Sequence, residues 1–241
     1  VAATSPAELC LISTEDDGMG TVVSKIYAKA GYELKNNGAV LTGGQQHGEG
    51  VIYTISTRLT EDENCINIEY SVDGKTYTYV QKLPGKAVYY GATEFVESFK
   101  KNTVSVTSTL VDGLTIAQEG QFAKLDISAS NKDTFQMINL VDKELFKKAN
   151  VNTETMVIGF YNDSAEDYTV TVAVKYKNKD LYDARPKTVL KAKEFTYIEI
   201  PLSKINWEKV GVIDNIRFMF GDTQNQAAKT IYIKQIVMYN K

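Results

Sequence analysis

CINIEYSVDGKTYTYVQKL, residues Cys65 to Leu83, decides the fold class. Apolar and polar residues alternate on both sides of Asp73-Gly74, and a period of two puts one set of side chains on one face of a sheet. Asp-Gly supplies the positive-φ positions of a two-residue turn, so the stretch predicts a β-hairpin. The same alternation continues outward. Toward the N-terminus it predicts strands over Glu8–Ser13, Val22–Ala28, Ala39–Thr42 and Val51–Leu59; the hairpin supplies Ile66–Val72 and Thr76–Leu83, and Val88–Tyr90 follows. Short strands at turn-spaced intervals suit an immunoglobulin-like sandwich.

Beyond Leu83-Pro84-Gly85 the pattern restarts with longer strands, predicted over Val104–Leu110, Phe122–Ser130, Thr134–Leu140, Thr155–Tyr161, Tyr168–Tyr176, Thr188–Ala192, Phe195–Pro201, Ile213–Phe220 and Thr230–Tyr239. Such a set suits a jelly roll. The expected organisation is all-β, with a small sandwich over residues 1–92 and a jelly roll over 93–241. Two short helical turns are expected as connections: Asp142–Asn150, whose acidic start and basic end match a helix dipole, and Ser203–Gly211, with Ser203 as its cap.

Composition narrows the chemistry. The chain has 241 residues, 43% hydrophobic and 24% charged, enough for a core without metal or disulfide staples. Its net charge of −3, without a long single-sign run, gives no counterion-releasing grip on nucleic acid. No stretch approaches the roughly 18 apolar residues of a membrane span. One histidine and two cysteines remove most catalytic and transition-metal ligands. His47 lies in GGQQHGEG, a turn-like stretch without the Gly-Lys-Ser/Thr of a phosphate loop, and no GxSxG elbow exists for a hydrolase triad. Acidic groups such as Glu15-Asp16-Asp17 and Glu61-Asp62-Glu63 read as solvated turn charges, so no enzyme is expected. Cys10 and Cys65 allow either one disulfide or two free thiols. The small, polar opening Val1–Ala7 is of the kind left after removal of a secretory signal, so a secreted or cell-surface location is expected.

A string of features in the second half carries a resemblance: FVESF at Phe95–Phe99, MVIGFYNDS at Met156–Ser164, FTYIEIPLSKI at Phe195–Ile205, IDNIRFMFGD at Ile213–Asp222 and TIYIKQIVMY at Thr230–Tyr239. In order and spacing they resemble the galactose-binding-like β-jelly roll of carbohydrate-binding modules appended to secreted glycan-degrading enzymes. The resemblance covers about 145 residues, Phe95 to Tyr239, and implies non-catalytic binding of a polysaccharide or oligosaccharide. The family pattern often holds a structural calcium between a glutamate near the first strand and an aspartate in the last. Here Glu94 or Glu97 stands at the first place but Lys234 at the second, and an ammonium group repels calcium, so no cofactor is expected.

Sugar recognition needs apolar surface for the CH faces of pyranose rings and polar groups for their hydroxyls. Alternation points Tyr161 and Arg217 away from the core. The loop Lys177–Lys187 brings Tyr182 and Arg185 close in sequence, and Trp207 lies in a short connection that could share their edge. The candidate carbohydrate-binding residues are therefore Tyr161, Tyr182, Arg185, Trp207 and Arg217. A structural or adhesive protein–protein module of a surface protein or enzyme scaffold is the alternative, with other modules of a larger secreted protein as partners.

Overall fold

A computed structural model describes residues 8–101, 113–129, 136–177, 179–181, 184–221 and 227–241. The chain divides into two compact units, Val1–Ala87 and Val88–Lys241.

The first unit is a β-sandwich. Its strands are β1 (Leu9–Asp16), β2 (Thr21–Lys29), β3 (Glu33–Asn36), β4 (Ala39–Val40), β5 (Gln45–His47), β6 (Gly50–Arg58), β7 (Cys65–Val72) and β8 (Lys75–Lys82). They form two sheets ordered β1-β2-β6-β5 and β4-β3-β7-β8. This is the immunoglobulin-like arrangement, in which hairpins alternate between facing sheets. The hairpin read from the sequence is present: Val72 pairs with Lys75, and Asp73 and Gly74 take φ of 50° and 72°. Ile66, Ile68 and Tyr70 point into the core, and Tyr70 stacks on Tyr77, its direct cross-strand partner, at 5.4 Å. Cys10 in β1 and Cys65 in β7 lie in different sheets as free, half-buried thiols.

The second unit contains β9 (Lys86–Gly91), α1 (Ala92–Lys101), β10 (Leu114–Glu119), β11 (Phe122–Ile127), β12 (Gln136–Leu140), α2 (Lys143–Lys148), β13 (Thr153–Asn162), β14 (Tyr168–Tyr176), β15 (Lys179–Asp180), β16 (Lys187–Leu190), β17 (Phe195–Ile200), a 3₁₀ turn (Leu202–Lys204), α3 (Trp207–Val210), β18 (Asn215–Phe220) and β19 (Lys229–Asn240). One sheet runs β10-β11-β19-β13-β17, with β9 also on β19; the other runs β12-β18-β14-β15, with β16 also on β14. From β11 to β14 and from β16 to β19 each successive strand changes sheet, which gives the jelly-roll type of sandwich. Between the sheets Met156, Ile158, Phe160, Ile231, Ile233, Ile236 and Met238 meet Val170, Val172, Val174, Ile216, Phe218 and Phe220, all without exposure. Phe160 and Phe218 meet edge to face at 5.9 Å.

Three expectations change, and the helical turn read after Asp142 stands. The sequence placed β9 in the first unit, but it pairs with β19, so the units divide at Ala87–Val88 rather than at residue 92. FVESF forms part of α1, whose buried Phe95, Val96 and Phe99 make one apolar stripe. The cap of α3 is Asn206, whose side chain accepts from the Lys209 N–H, and not Ser203. α2 starts at its Asp142 cap, whose carboxylate accepts from the N–H groups of Glu144 and Leu145 at 2.9 and 3.3 Å and from the Tyr90 hydroxyl at 2.6 Å. The predicted strand Val104–Leu110 lies outside the described residues.

Glu94, one of the two glutamates at the first place of the calcium pattern, accepts from the Gly91 N–H at 3.0 Å. Among the described residues no group of three or more histidine, cysteine, aspartate or glutamate side chains is placed to hold a metal ion.

Candidate functional site

The six-stranded sheet turns a set of rings outward. In β11, Ala123, Leu125 and Ile127 are buried, so Phe122, Lys124 and Asp126 take the opposite face. The same parity sends Tyr232 outward between buried Ile231 and Ile233, Tyr161 outward beside buried Phe160, and Phe195, Tyr197 and Glu199 outward beside Ile198 and Ile200. Register aligns them: Tyr161 lies directly opposite Phe195 on one side and Tyr232 on the other, and Tyr232 opposite Lys124.

Phe122, Tyr232, Tyr161 and Phe195 form a closed cycle. Ring centroids are 6.0 Å apart for Phe122–Tyr232, 6.0 Å for Tyr232–Tyr161, 5.0 Å for Tyr161–Phe195 and 5.8 Å for Phe195–Phe122. β11 and β17 are three strand intervals apart, which at about 4.8 Å each puts their backbones roughly 14 Å apart. Rings from those two strands at 5.8 Å must therefore lean toward each other, and the sheet face is dished. The dish encloses about 270 Å³, with Asp163 on its margin. Phe195 and Tyr197 are each 47% exposed, a large apolar area to leave facing water.

Charged groups border the rings. Glu119 accepts from the Tyr232 hydroxyl at 3.0 Å and from Lys124 Nζ at 3.1 Å, while Lys124 also lies 3.8 Å from Asp126. Hydrogen bonds from Lys124 and Tyr232 hold the Glu119 carboxyl below its ordinary range, and Glu119 holds the Lys124 ammonium above its own. Desolvation, and then the bond to Glu119, push the Tyr232 phenol up. At neutral pH the margin therefore presents an ionised acceptor, an ionised donor and a neutral phenol. Opposite, Lys193 reaches Asp163 at 2.7 Å.

A polar pocket of about 630 Å³ adjoins the dish through Asp163, lined also by Asp126, Ser128, Ser164 and Glu166. Lys229, buried to 3% exposure, also lines it; its ammonium donates to the Gln136 side-chain carbonyl and to the Ala227 carbonyl, and lies 4.5 Å from the Tyr168 ring centroid.

Of the residues singled out in the sequence, Tyr161 is in the ring cycle. Arg217 is on the outer face of the other sheet, donating from Nε to Asn139 Oδ1 at 2.9 Å. Arg185 pairs at 2.8 Å with Asp180, which also takes buried Lys175 at 2.9 Å. Trp207 packs against the core and donates its indole N–H to the Leu202 carbonyl at 3.2 Å. Tyr182 lies outside the described residues. The structure thus does not gather Arg185, Trp207 and Arg217 with Tyr161. Phe122, Phe195, Tyr197 and Tyr232 were missed, although each is an aromatic residue at an outward position in a strand that the sequence had already marked.

No family model matches the chain, and no curated protein matches it. Among solved structures it is similar to PfGH50B (TM-score 0.40, 10% identity, 58% of this chain and 23% of that one). It is also similar to the family 11 carbohydrate-binding module of cellulosomal Lic26A-Cel5E from Clostridium thermocellum (0.38, 10%, 66% and 89%). A third is the coat protein of Tobacco streak virus (0.33, 15%, 67% and 90%). The chain spans under a quarter of PfGH50B.

Proposed function

We propose that residues 88–241 bind a polysaccharide or oligosaccharide without transforming it, as one module of a secreted or cell-surface protein. One observation carries the reading: four aromatic rings from four neighbouring strands, closed into a dish on a sheet face and bordered by Glu119, Lys124, Asp163 and Lys193. A sugar presents an apolar CH face and a rim of hydroxyls. The rings accept the first through desolvation, and the ionised groups around them hydrogen-bond the second. The carboxylates at this margin are engaged with lysines, which suits them to hold hydroxyls. The galactose-binding-like type expected from the sequence string remains part of this proposal.

Affinity electrophoresis of the whole chain against a panel of neutral soluble polysaccharides tests it. Retardation by at least one of them, abolished by that glycan's own free oligosaccharide, is the expected result. No retardation across the panel, together with self-association or capture of a protein partner through the rings, would replace the reading with that of an adhesive module.

A further inference from the structure

At the sheet edge formed by β14 and β15, residues from segments 176–181 and 204–210 line one cleft, and Arg185 and Trp207 are not among its lining residues. The cleft, of about 470 Å³, is lined by Lys177 and Lys179 on one side and by Lys204 and Lys209 on the other. All four side chains are exposed. Its floor is apolar, built from Tyr176, Leu181, Ile205 and Val210.

The charges here are unbalanced. Asp180 is the one carboxylate among the lining residues described, and its two oxygens are taken by Lys175 at 2.9 Å and Arg185 at 2.8 Å. Among the described residues no carboxylate comes within salt-bridge distance of the Lys177, Lys179, Lys204 or Lys209 ammonium groups; Lys177 Nζ lies 5.0 Å from the Tyr176 ring centroid, and the Asp214 carboxylate takes the Lys177 backbone N–H. Elsewhere in the same unit Lys124, Lys147, Lys191 and Lys193 each pair with an acid. Four ammonium groups without an ion-pair partner among the described residues, set around one concavity in a chain whose net charge is −3, focus positive potential on it.

We infer that this cleft is a second binding site, for a carboxylate-bearing sugar residue of an acidic glycan. The apolar floor takes the ring's CH face while the lysines take its carboxylates, and the volume is within the range of small-ligand pockets. The site is independent of the ring dish, which has no lysine-only margin.

The test is isothermal titration of the whole chain with trigalacturonate and with the same trisaccharide carboxyl-reduced, at about 20 mM ionic strength and again at about 150 mM, where screening shortens to roughly 8 Å. Trigalacturonate should bind, more weakly at the higher salt, and the reduced sugar should not. Lys204→Ala/Lys209→Ala should weaken binding about fivefold, as expected for two exposed charge contacts, and Tyr232→Ala should leave it unchanged. Equal binding of the reduced sugar, an unaffected double variant with native circular dichroism, or no binding at all would overturn the inference. So would displacement of trigalacturonate by polyglutamate at equal charge, which would point to an acidic protein.

Discussion

The two sheets of the second unit follow the same alternation rule, yet their outer faces differ. On the six-stranded sheet the outward positions hold Phe122, Tyr161, Phe195, Tyr197 and Tyr232, all at least partly open to water. On the five-stranded sheet the outward positions Thr171, Ala173, Lys175, Asn215 and Met219 are buried, Ala173 completely, and Arg217 among them is half-buried. Both faces offered candidates to a reader of the sequence, Tyr161 on one and Arg217 on the other. Alternation tells which way a side chain points. Whether water reaches it depends on what else the chain lays over that face.

The largest expected effect concerns the sheet that carries the rings. Residues 86–241 expressed alone should unfold in one cooperative urea transition, because β9 is retained as a partner of β19 and Tyr90 stays in the core. A fragment starting at Glu94, near the boundary read from the sequence, loses that strand and should lack the transition. Equal cooperativity of the two fragments would show that β9 is dispensable.

The next effect separates the two faces by stability. Asp180→Ala should strand the Lys175 ammonium, whose side chain is 5% exposed, and cost about 3–5 kcal/mol in denaturant unfolding. Lys175→Met/Asp180→Leu should recover most of that loss, since an apolar pair of similar size carries no buried charge. A loss below about 1 kcal/mol for Asp180→Ala would mean that water solvates the pair.

On the ring face the sign reverses, with binding lost and stability kept. Phe195→Ala or Tyr232→Ala should weaken retention on a bound glycan about tenfold, by analogy with the roughly 1–3 kcal/mol of a base stacked on an aromatic ring. Their unfolding midpoints should move little. A large fall in stability without loss of retention would make the rings part of the packing.

Asp142, on neither face, calibrates the scale. Asp142→Ala removes the α2 cap and should cost about 1 kcal/mol at pH 7. Burial alone would raise this carboxyl, but the Tyr90 hydroxyl and the Leu145 and Glu144 N–H groups outweigh it and hold it below the ordinary 3.8. A lowered native pKa contributes stability that is complete above the unfolded-state value and fades as pH falls through the native one. The difference between parent and variant should therefore shrink below about pH 4, and a difference that grows on acidification would contradict the cap assignment.

The smallest effect is an expected null: Arg217→Ala should leave glycan retention unchanged, since its guanidinium serves Asn139 on the other sheet. Loss of retention in a variant with native stability would move the site to that face.

Much of this architecture is legible in the residues. Asp73-Gly74 fixes a hairpin because its two positive-φ positions admit few other solutions, and the rows Val170, Val172, Val174 and Ile216, Phe218, Phe220 point inward as period two requires. α1 was missed because Phe95 and Phe99 are four apart, a spacing that both a strand face and a helix stripe satisfy; buried Val96 decides for the helix. For the site, Tyr161 was found by parity, and the same parity applied to Phe122, Phe195 and Tyr232 yields three of its four rings. Their convergence was not legible, because it depends on the order β11-β19-β13-β17, which joins strands distant in sequence. Trp207 and Arg185 drew notice by residue type, and the Leu202 carbonyl and Asp180 that occupy them are tertiary neighbours no local pattern announces.

The chain has one tryptophan, and the ring dish contains none. Trp207 opens α3, the helix whose Lys209 and Val210 line the lysine cleft. Excited at its red edge, where tyrosine does not absorb, the protein emits from a single indole beside that cleft, so an acidic sugar settling there should shift the emission. A neutral sugar on the dish, which holds no tryptophan, would leave the indole signal still. The indole thus reports on the cleft alone, and adding a neutral glycan during the titration would show whether occupancy of the dish is felt there.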